Sequence, residues 1–256
     1  MDLKQLREKT IKKTREQVKE KLLQKDRLII NLTRTISTID KTTNLLFEQL
    51  RELYGLHFPE LSRLRKNIDQ YLEIVVNYGK RENIPEEHEL KQKAKESAGV
   101  ELGEKEMKAI ISFAEKIKAL REERKKLEKL LEEKVKELTP NACEVAGPLI
   151  VAKLITEAGS LKKLAELPSS TIQVMGAEKA LFAHLKKGVK PPKHGIIFQH
   201  PLIHKAPKKQ RGPIARKLAS KLSIALKVDY FKGEFIGDKL KKELEEEIKT
   251  HKIRKT

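Results

Sequence analysis

The sequence of 256 residues has no tryptophan, one cysteine and few aromatic residues, and it contains no long apolar run. A single thiol, Cys143, excludes an internal disulfide and a zinc site built from cysteines, and it fits a reducing compartment. The charged start MDLKQLREKTIKKTREQ has no apolar signal core, and no stretch approaches the roughly 18 apolar residues that a membrane span needs. These absences predict a soluble intracellular protein that has no membrane partner.

The abundant residues carry charge. Charged residues make up 36% of the chain and aromatic residues 4%, a balance typical of long, solvent-exposed helices. Lysine and arginine number 56 against 37 acidic residues, which gives a formal net charge of +19. This charge indicates a polyanionic partner, but it fits equally a protein that is merely basic. The position of the charges along the chain has to decide between the two.

Two long stretches have apolar residues mostly three, four or seven positions apart. The first ends at Tyr54-Gly55, before Pro59, and contains Ile11, Val18, Leu22, Ile29, Leu32, Ile36, Ile39, Leu46, Leu50 and Leu53. The second ends at Thr139-Pro140 and contains Met107, Ile110, Phe113, Ile117, Leu120, Leu127, Leu131, Val135 and Leu138. This period is that of a heptad seam on a helix. We predict an antiparallel coiled-coil arm over residues 1–138, with a shorter helix at about residues 61–78.

The segment between the two long helices, residues 79–103, is polar and contains Pro85, so we expect a helical tip outside the core. Exposed seam residues on the arm predict a homodimer, with contacts at Ile110, Ile117, Leu120, Leu127 and Leu131. A plain helical bundle without a partner is the alternative. The narrow seam and its charged flanks favour the arm.

A second, compact domain is predicted for residues 139–256, where the composition changes. The apolar stretch LIVAKLI, residues 149–155, predicts a buried helix, and Gly159-Ser160 predicts a helix stop followed by a cap. Most of the prolines lie in this part, so its helices should be short and joined by shaped loops. The last helix is expected from Asp238 to about His251, followed by a basic tail.

Between Lys186 and Lys221 the sequence has no acidic residue, although acidic residues are frequent elsewhere. The cations of this stretch are Lys186, Lys187, Lys190, Lys193, Lys205, Lys208, Lys209, Arg211, Arg216, Lys217 and Lys221. Mutual repulsion destabilises such a set unless phosphates neutralise it. A solvated face is the alternative, but the local absence of acids favours nucleic acid, with Lys208, Lys209, Arg211, Arg216 and Lys217 as phosphate contacts.

Two neighbouring features fit an RNA site. Gly176 precedes the apolar helix AEKALFAHL, and the backbone N–H groups of such a turn can bind a phosphate or a splayed nucleotide. An ordinary turn would have the same residues. The following loop, KPPKHGIIFQHPLIHKAPKKQRG, combines prolines and cations with His194, Gln199, His200 and His204, a mixture suited to RNA shape and unpaired bases.

The strings IQVMGAEKALFAHL and PPKHGIIFQHPLI closely resemble the Nop domain of box C/D ribonucleoprotein scaffolds and of a spliceosomal U4 relative. Upstream, IDKTTNLLFEQLRELYGLHFPEL resembles the coiled coil of the same family, and the archaeal scaffold is the nearer likeness. The resemblance implies an all-α fold that docks on a kink-turn guide RNA held by a small kink-turn-binding protein. It also implies dimerisation through the coiled coil, and guidance of ribose 2′-O-methylation by recruitment of the methyltransferase fibrillarin.

The resemblance assigns RNA and partner contacts by position. The turn Gln173 to Lys179, with Gly176, Ala177 and Glu178, and His184 would meet RNA and the small protein. The phosphates would be lined by Lys190, Lys193, His194, Lys205, Lys208, Lys209, Arg211, Arg216 and Lys217. Family scaffolds have an α/β domain before the coiled coil that binds fibrillarin, whereas this chain begins at the arm. We therefore expect a truncated form or a short paralogue, with fibrillarin as a partner only if that domain exists.

Other classes fit less well. An enzyme would need a catalytic or metal site, and the only candidate cluster, His184, His194, His200 and His204, has neither the spacing of a helical metal pair nor an acidic residue among them. No glycine-rich nucleotide motif is present, so we expect no cofactor and no metal. A pure protein-interaction scaffold and a spliceosomal-type paralogue without a methylation role remain as alternatives. The expected location is the cytoplasm for an archaeal protein, and the nucleolus or nucleus for a eukaryotic one.

Overall fold

The computed structural model describes Arg7, Ile11, Thr14, residues 25–64 and residues 67–253, without the side chains of residues 250–253. Over residues 25–64 and 67–253 the chain forms thirteen α-helices and two 3-10 helices and no strand, which confirms the all-α prediction. None of the described helices is long and apolar enough to cross a membrane. The predicted seam positions Val18 and Leu22, and the end of the basic tail, lie outside the described residues.

The chain divides into two compact units. One comprises residues 35–128, and the other comprises residues 129 onward together with the described residues up to Arg34. Helix α1 (Lys25–Gly55) and helix α5 (Glu104–Leu138) each contribute to both units. The domain boundary expected between residues 138 and 139 stays a prediction.

The unit of residues 35–128 contains α2 (Leu61–Leu64), α3 (Ile68–Tyr78), a 3-10 turn (Arg81–Asn83) and α4 (Lys91–Lys95) between its parts of α1 and α5. Arg124 of α5 binds Asp40 of α1 through Nε at 2.8 Å. Further along, Phe47 and Leu50 of α1 share a core with Ile110 and Ile117 of α5. Since residue numbers rise on one helix as they fall on the other, α1 and α5 run antiparallel in this unit.

Helix α3 is a third member of the same packing. Its Tyr71 ring meets the Phe47 ring edge to face at 5.2 Å. Asp69 forms a two-pronged ion pair with Arg121 of α5, at 2.7 Å to Nε and 3.2 Å to Nη2. In this unit, α1 and α5 therefore each pack their apolar face against two helices instead of one.

Packing within the chain buries three of the five predicted dimer contacts. Ile110 and Ile117 are buried in the core of this unit, and Leu131 is buried in the other unit. Side chains inside the protein are not surface that a second copy can reach, so these three are withdrawn as dimer contacts. Leu120, by contrast, is exposed, and Leu127 is half-buried.

The connector of residues 79–103 is part of the core, so its prediction as a tip outside the core was wrong. Ile84, Leu90 and Ala94 are buried in the same cluster as Tyr54. Arg81 donates from Nη1 to the carbonyls of His57 and Gly99, at 2.6 and 2.8 Å. Side-chain bonds of this kind hold an irregular backbone that places Ile84, Leu90 and Ala94 in the core. Because that backbone is not one continuous helix, the three residues show no helical period in the sequence.

The second unit begins with two helices that start at proline. These are α6 (Pro140–Ala146) and α7 (Pro148–Ala158), joined through Gly147 at φ +81°. Gly159 ends α7 in the left-handed conformation, and the Ser160 hydroxyl caps α8 (Leu161–Glu166) by accepting from Lys163 N. The stop and cap predicted here are confirmed.

The remaining helices surround one long central helix. They are α9 (Ser169–Val174), α10 (Glu178–Lys187), a 3-10 turn (Ile196–Gln199), α11 (Pro201–His204), α12 (Arg211–Tyr230) and α13 (Gly237–Ile253). Helix α12 is the central one, because it packs against α6, α8, α9 and α13. Near its end, the buried Asp229 carboxylate caps α6 by accepting from the Asn141 and Ala142 backbone at 3.1 and 2.9 Å. Burial raises the pKa of Asp229.

Candidate nucleic-acid interface

The candidate site starts at the turn between α9 and α10. Gly176 has φ +82°, and a Cβ there would lie 2.6 Å from Ile196 Cγ1. Gly195 N donates to the Gln173 carbonyl at 3.0 Å, and Ile196 N donates to the Met175 carbonyl at 2.8 Å. These bonds hold the turn, backbone to backbone, against the loop of residues 190–212, which we call the proline-rich loop.

The backbone of this turn is less available to an anion than the sequence suggests. Gly176 N donates to the Glu178 carboxylate at 2.6 Å, and Ala177 N donates to the Val174 carbonyl at 2.9 Å. These two N–H groups are already bonded, so the prediction that they receive a phosphate is corrected. Glu178 shapes the turn, while Lys179 beside it is exposed.

Helix α10 presents an apolar face to solvent. Phe182 is 60% exposed and Leu185 70% exposed, and Leu181 on the same face is also exposed. Beside Leu181 lies a groove of about 480 Å³ whose lining includes Val174 and Met175 and also charged side chains, namely Glu157, Lys163, Glu166 and Glu178. A contiguous apolar face of this kind is suited to protein docking more than to base recognition. At the end of α10, the His184 imidazole bonds to the Val189 carbonyl and holds the turn into the loop.

An aromatic stack fixes the proline-rich loop. The His194 ring stacks on Phe198 with centroids 4.4 Å apart and planes 16° apart, and His204 meets the same ring at 5.4 Å. The Arg211 guanidinium lies 5.2 Å from the Phe198 centroid and donates to the carbonyls of Ala206 and His204, at 2.9 and 3.3 Å. Burial lowers the pKa of His194 and favours its neutral form.

The polar groups of the loop that were predicted to read RNA therefore already have partners within the protein. His200 caps α11 by accepting from Leu202 N at 3.3 Å, and burial lowers its pKa. Gln199 accepts from Lys153 Nζ at 2.6 Å. His194, His204 and Arg211 belong to the stack around Phe198. The sequence does not indicate the role of Phe198, because a single aromatic residue in a loop has no periodic signal. In the described residues no group of three His, Cys, Asp or Glu side chains could hold a metal ion.

Six of the predicted phosphate contacts remain exposed around this framework, and none of them pairs with a carboxylate of the described residues. They are Lys190, Lys193, Lys205, Lys208, Lys209 and Arg216. Gln173 donates from Nε2 to the Lys193 carbonyl at 2.8 Å, and a Cβ at Gly212 would lie 3.5 Å from Lys193 Cδ. The first contact joins the loop to α9, and the second brings it to the start of α12. We call the six residues the cationic surface.

Lys217 differs from this set. Its Nζ donates to the Glu247 carbonyl of α13 and lies 3.9 Å from the Glu247 carboxylate. Lys221, one turn later, is paired with Glu243 at 2.6 Å and with Glu247 at 3.0 Å. Acids from a later helix thus neutralise these two cations, so Lys217 is withdrawn from the predicted phosphate contacts.

The described residues thus set a cationic surface beside an exposed apolar helix in an all-helical domain, an arrangement typical of nucleic-acid-binding proteins. Comparison with known proteins makes this particular: the chain belongs to the Nop family, described as "snoRNA binding domain, fibrillarin", which it matches over residues 35–250. The predicted resemblance is thereby confirmed.

Several relatives resemble the chain over most of its length. An uncharacterized NOP5 family protein of Methanocaldococcus jannaschii is 46% identical, with 92% of this chain and 59% of the relative covered. Nucleolar protein 56 of Schizosaccharomyces pombe is 35% identical, with 92% and 51% covered. The chain thus spans about half the length of these curated relatives. A crystal structure of a fibrillarin/Nop5p complex contains a chain that is 30% identical, with a TM-score of 0.58 and with 96% of this chain and 78% of that chain covered.

Proposed function

We propose that this chain is a non-catalytic RNA-binding scaffold of a box C/D-type ribonucleoprotein. It assembles on a kink-turn guide RNA that is already held by a small kink-turn-binding protein. One observation carries this proposal: the exposed apolar face of α10 lies beside the cationic surface, and a backbone-linked turn and loop join them. The cationic surface alone would fit any polyanion, and the apolar face of α10 alone would fit many proteins.

The two parts have different roles. Phosphate contacts by lysine and arginine supply affinity that does not depend on sequence and weakens as salt rises. The apolar face of α10 supplies docking area for the small protein, centred on Phe182 and Leu185. Selectivity then comes from the composite of shaped RNA and bound protein. The coupling is reciprocal, so the scaffold also raises the affinity between the RNA and the small protein.

A titration tests this composite. RNA that contains a kink-turn, and a base-paired control of the same length, are titrated with the scaffold at physiological salt, with and without the small kink-turn-binding protein. Tight, selective binding is expected only for the kink-turn with the small protein present. Equal affinity for both RNAs in its presence would refute the composite surface. Tight, selective binding in its absence would place recognition in the scaffold alone.

A substitution on α10 separates the two contributions. Phe182→Ala should weaken the complex that contains the small protein and leave binding to RNA alone unchanged. Leu45→Ala is the matched control, because Leu45 is 66% exposed on α1 in the other unit. Equal losses with and without the small protein would mean that Phe182 contacts RNA.

Guidance of ribose 2′-O-methylation is the activity we propose for the assembled particle. Fibrillarin is its expected methyltransferase, and its recruitment depends on an α/β domain in the protein. A pull-down with fibrillarin, made separately from the RNA titration, tests that partner. Loss of fibrillarin binding with intact RNA assembly would leave the scaffold function standing.

A further inference from the structure

A line of exposed residues runs along one side of α12. It consists of Arg216, Ser220, Ile224, Lys227 and Phe231, and all five are exposed. Their spacing of four, four, three and four residues places them on one face of the helix. At a rise of about 1.5 Å per residue the line is roughly 22 Å long. We call it the α12 stripe, and its first residue belongs to the cationic surface.

An exposed aromatic ring ends the stripe. Phe231 is 76% exposed, although the chain has only seven phenylalanines and no tryptophan. The backbone around it is fixed, because Gly233 N donates to the Val228 carbonyl at 2.9 Å and Lys232 N to the Asp229 carbonyl at 3.3 Å. This pair of bonds is a Schellman motif. A ring on a fixed backbone loses little conformational freedom when it binds a ligand.

Lys232 occupies a position where glycine is usual. Its φ is +55°, and it is the one non-glycine residue with positive φ in the described part of the chain. The left-handed conformation is less favourable for lysine than for glycine. Lysine at this position places an ammonium group directly after Phe231 in the chain, and Lys227 lies one turn before Phe231. Neither lysine pairs with a carboxylate of the described residues.

The charge around the stripe selects the class of ligand. Between Glu178 and Glu234 the only acidic residue is Asp229, which is buried and caps α6. The stripe and Lys232 therefore carry positive charge and no carboxylate of their own, while the acids near them are the exposed Glu234 and the α13 residues Glu243 and Glu247, which pair with Lys221 and Lys217. The stripe itself is complementary to a polyanion. An exposed aromatic ring between free cations is the composition of sites that bind single-stranded nucleic acid, where bases stack on the ring.

We propose that the α12 stripe binds an unpaired RNA segment that leaves the kink-turn, with a base stacked on Phe231 and phosphates at Lys227 and Lys232. This inference rests on the proposed RNA-scaffold function. It adds a second RNA contact that is separate from the composite surface with the small protein. The Arg216 end of the stripe supplies continuity between the two contacts.

The absence of tryptophan from the sequence allows a direct test. Phe231→Trp in the full chain creates the only indole, and an unpaired oligouridine of about eight nucleotides is the probe. Stacking should quench the fluorescence of the new indole in a saturable way. Leu45→Trp is the control, and its fluorescence should stay unchanged. No saturable quenching at position 231, or equal quenching at both positions, would refute the stripe.

An affinity series separates stacking from protein docking. Phe231→Ala and Phe231→Leu should both lower affinity for the oligouridine, and for kink-turn RNA with that extension, by about tenfold. Kink-turn RNA without the extension should bind as before, which keeps this result independent of the composite site. If Phe231→Leu binds RNA normally, or if the Phe231→Trp fluorescence responds to the small protein and not to RNA, the stripe is a protein surface and the proposal fails. If kink-turn binding fails while the oligouridine still quenches, the proposed function fails and the stripe stands.

Discussion

At the scale of single residues, the candidate site depends on close backbone approach. A Cβ at Gly195 would lie 1.9 Å from the Met175 carbonyl oxygen. The same few residues carry the two bonds that link the turn before α10 to the proline-rich loop. Glycine is required here because no side chain fits between the two backbones.

Gly195→Ala should therefore separate the turn from the loop and lower the free energy of unfolding by about 2–4 kcal/mol. Gly188→Ala is the matched control: its φ is +65°, but nothing lies within 4 Å of the added Cβ. It should cost only about 1 kcal/mol, the price of a left-handed alanine. Urea denaturation measures both changes. Equal losses would mean that backbone conformation, and not the close approach, sets the cost.

The difference between Lys208 and Lys217 is a second residue-scale prediction. Lys208 is exposed and unpaired within the described residues, whereas Lys217 is bonded to Glu247. Lys208→Ala should flatten the slope of log affinity against log salt by about one unit. Lys217→Ala should leave that slope unchanged and lower protein stability instead.

Filter binding of kink-turn RNA at several salt concentrations, with thermal denaturation of each variant, makes the comparison. An equal decrease of the salt slope in both variants would show that Lys217 leaves Glu247 to contact phosphate. An unchanged salt slope for Lys208→Ala would mean that the acid-free stretch is a solvated face and not a phosphate-binding surface.

At the scale of elements, side-chain bonds hold helices of the first unit in place. Helix α5 carries Arg121 and Arg124, which bind Asp69 of α3 and Asp40 of α1. The Arg124 guanidinium also meets Glu128 at 2.6 Å. Two arginines one turn apart thus connect α5 to both of its neighbours. Such pairs orient helices, although solvent limits what each contributes to stability.

Asp69 gives this arrangement a pH dependence. Its hydrogen bond to the Arg121 guanidinium lowers the pKa of the carboxyl group. A lowered pKa in the folded state stabilises the protein above the pKa of the unfolded state, and the stabilisation is lost as pH falls through the folded value. Asp69→Asn should therefore be less stable than the parent protein by at most about 1 kcal/mol near neutral pH.

The difference between Asp69→Asn and the parent should stay constant down to about pH 4 and shrink below it. Urea denaturation from pH 6 to pH 3 measures it, and Arg121→Gln with the double variant completes a double-mutant cycle. A difference that persists at pH 3 would contradict the ion pair and assign the effect to packing. Additive losses in the cycle would do the same.

At the scale of the whole molecule, self-association through the coiled-coil region stays a prediction. Of its expected contacts, Leu120 and Leu127 are the two that burial within the chain leaves accessible in part. Leu120→Lys with Leu127→Lys should shift the molar mass in light scattering from dimer to monomer, since unpaired charges in a contact are costly. Leu45→Lys is the control on the same unit and should keep the mass of the parent.

Circular dichroism of the double variant checks that it keeps the helical content of the parent and has not unfolded. Ile117 is unsuitable for it, because its side chain is 0% exposed and a lysine there would disrupt the core. A dimer mass that survives both lysine substitutions would move the contact to another surface. A monomeric parent would refute self-association itself.

The sequence alone determined the features that depend on neighbours along the chain. Apolar spacing predicted α1 and α5, and the pairs Gly159-Ser160 and Thr139-Pro140 predicted stops and starts, because helix periodicity and capping act within a few residues. The strings around Gly176 and His194 were long enough to indicate the family. The acid-free stretch indicated the cationic surface, because it too is a property of residues that are neighbours along the chain.

Only the tertiary structure decided which of those groups are free to act. Lys217 and Lys221 are neutralised by Glu247 and Glu243, which lie 22 or more residues later and reach them because α13 packs along α12. The histidines of the proline-rich loop stack or cap within it, and Ile84, Leu90 and Ala94 enter the core from an irregular segment. Pairing and burial depend on distance in space, which spacing along the chain does not encode.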